Sequence, residues 1–94
     1  MSTSDAEKSM DGEVPNAAWC DHSNLHVRLD DGREIVTPLW WYPKLLKATH
    51  QQRNTLELMI TGIHWPEIDE DLSIVGMLRG WKSPDAHEPG IAAE

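Results

Sequence analysis

The sequence predicts a compact single α+β domain with a small antiparallel sheet and about three short helices. A chain of 94 residues has room for one hydrophobic core, because domains of this size bury only about 60–65% of their unfolded surface. Apolar and polar residues alternate in its first half, and proline and capping signals typical of short helices follow. Together these patterns predict one domain that contains both strands and helices.

The stretch NLHVRLDDGREIVTPL predicts a β-hairpin. Leu25, Val27 and Leu29 alternate with polar residues and therefore share one face of a strand. Asp31 and Gly32 tolerate the positive φ of a tight turn, and the return strand runs to the next proline. The preceding AAWCDHS predicts a third strand.

The next stretch, WWYPKLLKATHQQRNT, predicts two short helices. Pro43 suits the first turn of a helix, where its missing N–H costs nothing. Thr49, with Gln52 three residues later, has the form of a capping box that starts a second helix. TLELMITG then alternates again and predicts a strand that ends at Gly62.

The segment GIHWPEIDEDLSIVGML predicts a final helix from about Leu72 to Arg79. Asp69 or Asp71 is expected to cap it, and Gly80 lies just past its end. Its apolar face is expected at near-helical spacing: Ile68, Leu72, Val75 and Leu78.

Charge is unevenly distributed along the chain. Sixteen acidic and eight basic residues give a net charge of −8, and residues 17–66 are balanced, with five of each sign. The excess lies in residues 1–16, with net −3, and in residues 67–94, with net −5. We interpret residues 1–15 as a flexible acidic arm, 16–81 as the domain and 82–94 as a disordered tail.

This charge balance excludes several classes of function. Binding to nucleic acid or to anionic membranes depends on Lys and Arg, so the expected partner is a basic protein surface. The acidity could instead serve only solubility. No signal peptide or membrane span is expected, and the single cysteine, Cys20, indicates a reducing cytoplasm.

Two motifs, LHVRLDDGREIVTPLWWYPKLLKATHQQR and GIHWPEIDEDLSIVGML, resemble the small bacterial domain-of-unknown-function family DUF2442. Its members share a strand, an Asp-Gly turn, a Trp-Tyr-Pro helix and a closing Asp-Glu-Asp-Leu. The resemblance covers Leu25 to Leu78 and implies an α+β domain without an established activity. Some members precede a helix-turn-helix domain, which is not expected in this sequence, and others stand beside a proposed toxin.

By composition alone, the chain also resembles phage-encoded inhibitors of bacterial defence, including anti-CRISPR proteins that imitate the charge of DNA. That likeness rests on no sequence motif and is an analogy independent of fold.

Metal and catalytic sites are not expected. Glu67, Asp69 and Asp71 have calcium-loop spacing, but the positions that need Gly and a bidentate Glu hold Leu72 and Leu78. The histidines and the single cysteine form no zinc pattern. Cys20 lacks an identifiable base, so no enzyme activity and no cofactor are predicted.

The sequence therefore predicts a non-enzymatic interaction protein, monomeric or weakly dimeric. Its acidic face would dock on a basic, nucleic-acid-binding surface of a defence complex in the bacterial or phage-infected cell. An antitoxin-like module that binds through an apolar strand edge is the alternative. Exposed Trp81 beside carboxylates would suit a protein anchor, and Trp65 is expected in the core. The predicted partner-binding residues are Glu67, Asp69, Glu70, Asp71, Asp30, Asp31 and Glu34.

Overall fold

A computed structural model of the protein describes residues 13–88. Two three-stranded antiparallel sheets and three short helices form the domain, which confirms the predicted α+β class. The strands are β1 (Pro15–Cys20), β2 (Asn24–Leu29), β3 (Glu34–Pro38), β4 (Glu57–Leu58), β5 (Gly62–Trp65) and β6 (Glu70–Ser73), and the helices are α1 (Pro43–Lys47), α2 (His50–Asn54) and α3 (Ile74–Arg79). Residues 1–12 of the predicted arm and residues 89–94 of the predicted tail lie outside the described residues.

The first sheet has the strand order β1-β2-β3 and contains the predicted hairpin. Leu25, Val27 and Leu29 are fully buried, as their alternation predicts. The hairpin closes where Leu29 N–H donates to the carbonyl of Arg33 at 2.8 Å. Gly32 has a φ of 94°, which an L side chain rarely adopts, so this turn requires glycine.

The helices between the sheets begin where the sequence predicts. Pro43 occupies the start of α1. The capping box of α2 is complete, because the Thr49 hydroxyl accepts from Gln52 N–H and the Gln52 side chain accepts from Thr49 N–H. Arg53 joins the two helices, since its guanidinium donates to the carbonyls of Leu45 and Leu46 at 2.9 and 2.8 Å.

The second sheet, in the order β4-β5-β6, differs from the predicted single strand over TLELMITG. Only Glu57–Leu58 is a strand there, and the chain then reverses through a tight turn in which Met59 N–H donates to the carbonyl of Gly62 at 2.8 Å. Ile60 is 77% exposed at this turn, so the alternation did not mark a buried face. Gly62 begins the following strand and does not end the preceding one.

The final helix is shorter than predicted and has a different cap. Residues 70–73 form β6, and α3 begins at Ile74 with Ser73 as its N-cap, whose hydroxyl accepts from Gly76 N–H at 2.8 Å. The assignment of Asp69 or Asp71 to the cap was therefore wrong. The helix ends at Gly80, which has a left-handed φ of 78°, as the sequence indicates.

The inward face of α3 also differs from the prediction. Ile74 and Met77 are buried, whereas Val75 and Leu78 are each 43% exposed. The helical spacing counted from Ile68 failed because residues 66–69 form a turn and residues 70–73 a strand, so the helical periodicity starts at Ile74.

The core joins residues from both sheets and the helices, and Trp65 lies in it fully buried, as predicted. The Trp65 indole N–H donates to the carbonyl of Arg53 at 3.0 Å, which ties β5 to α2. Within residues 13–88, no helix is long and apolar enough to cross a bilayer.

Candidate functional site

Four of the predicted partner-binding acids lie together where β5 turns into β6; we call Glu67, Asp69, Glu70 and Asp71 the acidic turn. Glu67 and Asp69 are exposed in the turn between the strands. Asp69 has a φ of 54°, a left-handed conformation that Asp and Asn tolerate better than other L residues. Lys44 Nζ donates to the Asp69 backbone carbonyl at 2.9 Å, so this contact fixes the turn and leaves the carboxylate in solvent.

Glu70 is the half-buried member of the acidic turn. Burial raises the pKa of its carboxyl, and this effect outweighs the hydrogen bond from Asp71 N–H and the nearby Lys44 cation, which lower the pKa. The Asp71 and Asp69 carboxylates raise the pKa of Glu70 slightly further. Its Oε1 atom accepts from the backbone N–H of Asp71 at 3.2 Å. The charged Glu70 carboxylate is therefore partly dehydrated, and a cation that approaches it would stabilise this charge.

Asp71 is paired within the molecule. His64 Nδ1 lies 2.6 Å from Asp71 Oδ1, across the β5–β6 register that sets these two residues opposite each other. His64 lies in β5, and this contact satisfies one nitrogen of its ring. The Asp71 side chain remains 75% exposed, so the pair does not remove it from the surface.

The other three predicted acids belong to the hairpin of the first sheet. Arg33 Nε donates to Asp31 Oδ2 at 2.7 Å, and His26 Nδ1 lies 3.0 Å from Glu34 Oε2. These two acids are therefore partly neutralised by their own neighbours. Asp30 is exposed beside them. The hairpin acids and the acidic turn lie on different sheets.

His26 is the centre of a second carboxylate cluster that includes Asp21, which the sequence analysis did not single out. His26 Nε2 lies 2.8 Å from Asp21 Oδ2, and the ring stacks on Trp19 with centroids 5.3 Å apart. Asp21 also accepts from the backbone N–H groups of Ser23 and Asn24. An Asp at the start of a turn, two residues before Ser-Asn, is the signal that could have identified this turn.

This cluster predicts a window of pH-dependent stability. Hydrogen bonds to Asp21 and Glu34 raise the His26 pKa above its ordinary 6.5. The hydrogen bond to His26 holds the Asp21 pKa well below 3.8. The contribution of protonated His26 to the free energy of unfolding is complete below pH 6.5 and is lost as the pH rises through the folded-state pKa of His26. The contribution of ionised Asp21 to the same free energy is complete above pH 3.8 and is lost as the pH falls through the folded-state pKa of Asp21.

We expect the difference in melting temperature between wild type and H26Q to be largest between these values, near pH 5 (about midway). It should shrink towards pH 9, where imidazole is neutral (roughly two units above its usual pKa). Scanning calorimetry across pH measures it, with H22Q as the control because His22 is exposed. A difference independent of pH would show that His26 acts by packing on Trp19 alone.

A groove runs beside the acidic turn; we call it the edge groove. It has a volume of about 360 Å³ and lies between the four residues of β6 and the segment 81–84. Trp81 forms part of its wall and is 59% exposed, as the sequence predicts. The ring lies against Gly76, where an added Cβ would meet Trp81 Cε3 at 2.9 Å, so the missing side chain of Gly76 makes room for it.

Contacts with the core region fix the wall of the edge groove opposite β6 and form its floor. Ser83 N–H donates to the carbonyl of Trp41 at 3.0 Å, and Lys82 Nζ lies 4.8 Å from the centre of the Trp41 ring. Tyr42 and Met77 form the floor and are buried. Burial raises the Tyr42 pKa more than the nearby Thr37 hydroxyl lowers it. Within residues 13–88, the hydroxyls of Tyr42 and Thr37 are both buried, and neither makes a hydrogen bond of good geometry.

The sequence indicates an exposed Trp81 but does not reveal this groove, because the segment after Trp81 has the composition of a tail. The only local signal is the Gly-Trp pair at the end of α3, where a hydrophobic residue after a left-handed glycine commonly packs back on the helix.

Chemistry at the remaining candidates is limited. Cys20 is half-buried, and burial raises its pKa, which disfavours the reactive thiolate. His22 is exposed outside the strand that holds Cys20. Among residues 13–88, no group of three or more His, Cys, Asp or Glu side chains is arranged to hold a metal ion.

The chain matches the sequence model of a known protein family. The family model described as "Protein of unknown function (DUF2442)" matches residues 17–83. The chain belongs to the DUF2442 family. No curated protein matches the chain.

A solved structure supports the fold of this DUF2442 domain. It is the crystal structure of a protein of unknown function from Rhodospirillum rubrum ATCC 11170, at 2.75 Å resolution. That chain is similar to this one with 26% identity and a TM-score of 0.67, and the match covers 78% of this chain and 93% of that chain.

Proposed function

We propose that this DUF2442 protein is a non-enzymatic interaction protein that binds a basic surface of a partner protein through the acidic turn and Trp81. The observation that carries the proposal is the edge groove, which Glu70 and Trp81 line together. Aromatic side chains anchored in a recess are typical centres of binding energy, and charged groups around them add specificity and association rate.

The charge of this surface supports a basic partner. Glu67 and Asp69 are exposed, and Glu70 is partly dehydrated beside them. The hairpin acids support the proposal less, because Asp31 and Glu34 are paired internally. We therefore place the contact at the acidic turn and give the hairpin an auxiliary role through Asp30.

The class of partner follows from the same chemistry. If the basic surface normally holds nucleic acid, carboxylates of the acidic turn would occupy positions of phosphates, and the protein would act as a DNA mimic that inhibits a bacterial defence complex. This role, comparable to that of anti-CRISPR proteins, places the protein in the cytoplasm of a bacterial or phage-infected cell. It requires no cofactor and no direct contact with nucleic acid or membrane.

A second candidate is an antitoxin-like module, and exposed apolar residues favour it. Leu58, Met59 and Ile60, at the turn between β4 and β5, are 42, 51 and 77% exposed. Contiguous exposed apolar residues are typical of protein contacts. In this alternative the partner is a toxin bound through apolar surface, and binding would be insensitive to salt.

The test neutralises the acidic turn without changing its shape. The double variant E67Q/D69N removes two charges, and Asn tolerates the left-handed conformation at residue 69. Exposed ion pairs contribute about 0.2–1 kcal/mol each, so retention of a basic partner should fall by about twofold to thirtyfold. Capture from bacterial lysate on the immobilised full chain, quantified by mass spectrometry at low and high salt, measures this loss.

The control variant E57Q/E88Q removes two exposed acids outside the acidic turn. It has the same net charge as the test variant, so retention equal to wild type would assign the effect to position. Equal retention by all three proteins would reject the acidic turn as the contact. Salt-insensitive retention that I60S abolishes would favour the antitoxin-like module.

A further inference from the structure

We infer that the edge groove binds an extended basic segment of the partner, which adds to β6 as a further strand of the second sheet. This inference rests on the proposed function and specifies how the partner is held. It joins three observations: an edge strand, a recess along that strand, and a concentration of negative charge at one end of it.

The first observation is the position of β6 at the edge of its sheet. Within the described residues the sheet has the order β4-β5-β6, and β6 pairs with β5 alone. An edge strand presents backbone N–H and C=O groups that another chain can pair with. The Asp71 N–H donates to a side chain, Glu70 Oε1, at 3.2 Å. This long contact is readily exchanged for a strand carbonyl at the usual distance of about 2.9 Å.

The second observation is that the recess follows the strand. All four residues of β6 line the edge groove, and the opposite wall is held by the bond from Ser83 N–H to the Trp41 carbonyl. The groove is therefore formed before a partner arrives, which lowers the entropic cost of binding. Its volume of about 360 Å³ lies within the range of small binding clefts, about 300–1,000 Å³.

The third observation selects the occupant. Glu70 and Asp71 line the groove beside Asp69, and Met77 and Trp81 supply apolar surface. The one cation in the lining, Lys82, is engaged with the Trp41 ring, with its Nζ 4.8 Å from the ring centre. Adjacent residues of a strand point to opposite faces, so Asp71 lies on the exposed face of β6 and Leu72 on the face that packs on the core. A segment that alternates basic and apolar residues therefore presents lysine or arginine beside Asp71 on one face and aliphatic side chains towards Met77 and Trp81 on the other. An acidic segment would place like charges beside Asp69, Glu70 and Asp71, which is unfavourable.

The test uses the synthetic peptide acetyl-KVKVKV-amide on the full chain. Two-dimensional amide NMR should show the largest shifts at Asp71 and Ser73, and Trp81 fluorescence should change. A second peptide, N-methylated at alternate residues on the edge that faces β6, keeps its charge but cannot donate to the strand. We expect its affinity to be lower by at least about tenfold, as loss of two backbone hydrogen bonds implies. The acidic peptide acetyl-EVEVEV-amide should not bind.

The outcomes separate this inference from the proposed function. Equal affinity of the N-methylated peptide, or shifts centred on the hairpin around Asp30, would overturn strand addition. Self-association through β6, seen as a dimer by sedimentation with the same amides shifted, would also overturn it by making a second copy the occupant. In each of these cases, loss of the lysate partner in E67Q/D69N would still support the proposed function.

Discussion

Replacing Trp65 with Ala is expected to lower the free energy of unfolding by about 3–5 kcal/mol, the range for deletion of a large buried aromatic. Trp65 is fully buried in the core that joins the two sheets, and its indole N–H bonds the Arg53 carbonyl. The substitution removes both the packing and the bond between β5 and α2. Small domains have only about 5–15 kcal/mol of stability, so a large part of the fold's reserve would be lost.

W65F provides a graded second variant should W65A fail to fold. It retains most of the apolar volume but leaves the Arg53 carbonyl without this donor, which should cost about 1–3 kcal/mol. Urea unfolding followed by circular dichroism measures both variants, with the slope as a check on two-state behaviour. A loss below about 1 kcal/mol for W65A, outside the range for buried aromatics, would contradict the position of Trp65 in the core.

G62A is expected to have the second largest effect, because it separates β5 from β6. A Cβ on Gly62 would collide with the backbone carbonyl oxygen of Leu72 and lie 3.2 Å from Ser73 Cα. The collision is with backbone, which cannot rotate away. Forcing atoms into a packed site typically costs about 1–3 kcal/mol, more than the gain of about 0.5–1 kcal/mol from replacing glycine in a strand.

Hydrogen exchange of the β6 amides is the specific measurement for G62A. G32A is the matched control, since a Cβ on Gly32 has nothing within 4 Å and the cost there is the positive φ of 94°. G62A should accelerate exchange in β6, whereas G32A should affect the first hairpin. Unchanged exchange of β6 in G62A would show that the strands accommodate the methyl group.

The first sheet could be predicted from the sequence because one of its faces is buried. Leu25, Val27 and Leu29 alternate with polar neighbours, and Asp31-Gly32 marks the turn between the strands. The capping box of α2 was equally legible, since the side chains that satisfy the helix start are only three residues apart. Neighbouring residues in the sequence determine these elements, so a single sequence is enough to predict them.

The second sheet could not be predicted in the same way. Ile60 lies at an exposed turn, and neither it nor Thr61 is among the residues typical of two-residue hairpin loops. The acids before α3 resembled helix caps, but pairing with β5 makes Glu70 and Asp71 strand residues. That pairing is a tertiary contact, and local propensity does not contain it.

In the candidate site, too, the sequence predicted local features but not those that depend on tertiary contacts. The sequence located the acidic turn and the exposure of Trp81, both of which are local properties. It did not show that Glu34 and Asp71 have partners within the molecule, because the histidine partners His26 and His64 lie on neighbouring strands. It also did not show that Asp31 is paired with Arg33 in the hairpin. Among the predicted partner-binding acids, the four without an ion pair in the described residues are therefore Asp30, Glu67, Asp69 and Glu70, and three of these lie in the acidic turn.

The most direct test of the central claim is the salt dependence of affinity between the full chain and the basic partner identified by capture. Calorimetric titration at about 0.1 M and 1 M salt spans Debye lengths of about 10 and 3 Å. If the acidic turn carries the contact, wild type and E57Q/E88Q should weaken strongly with salt, and E67Q/D69N should bind weakly at both concentrations. Affinity that is independent of salt and equal in all three proteins would contradict the claim.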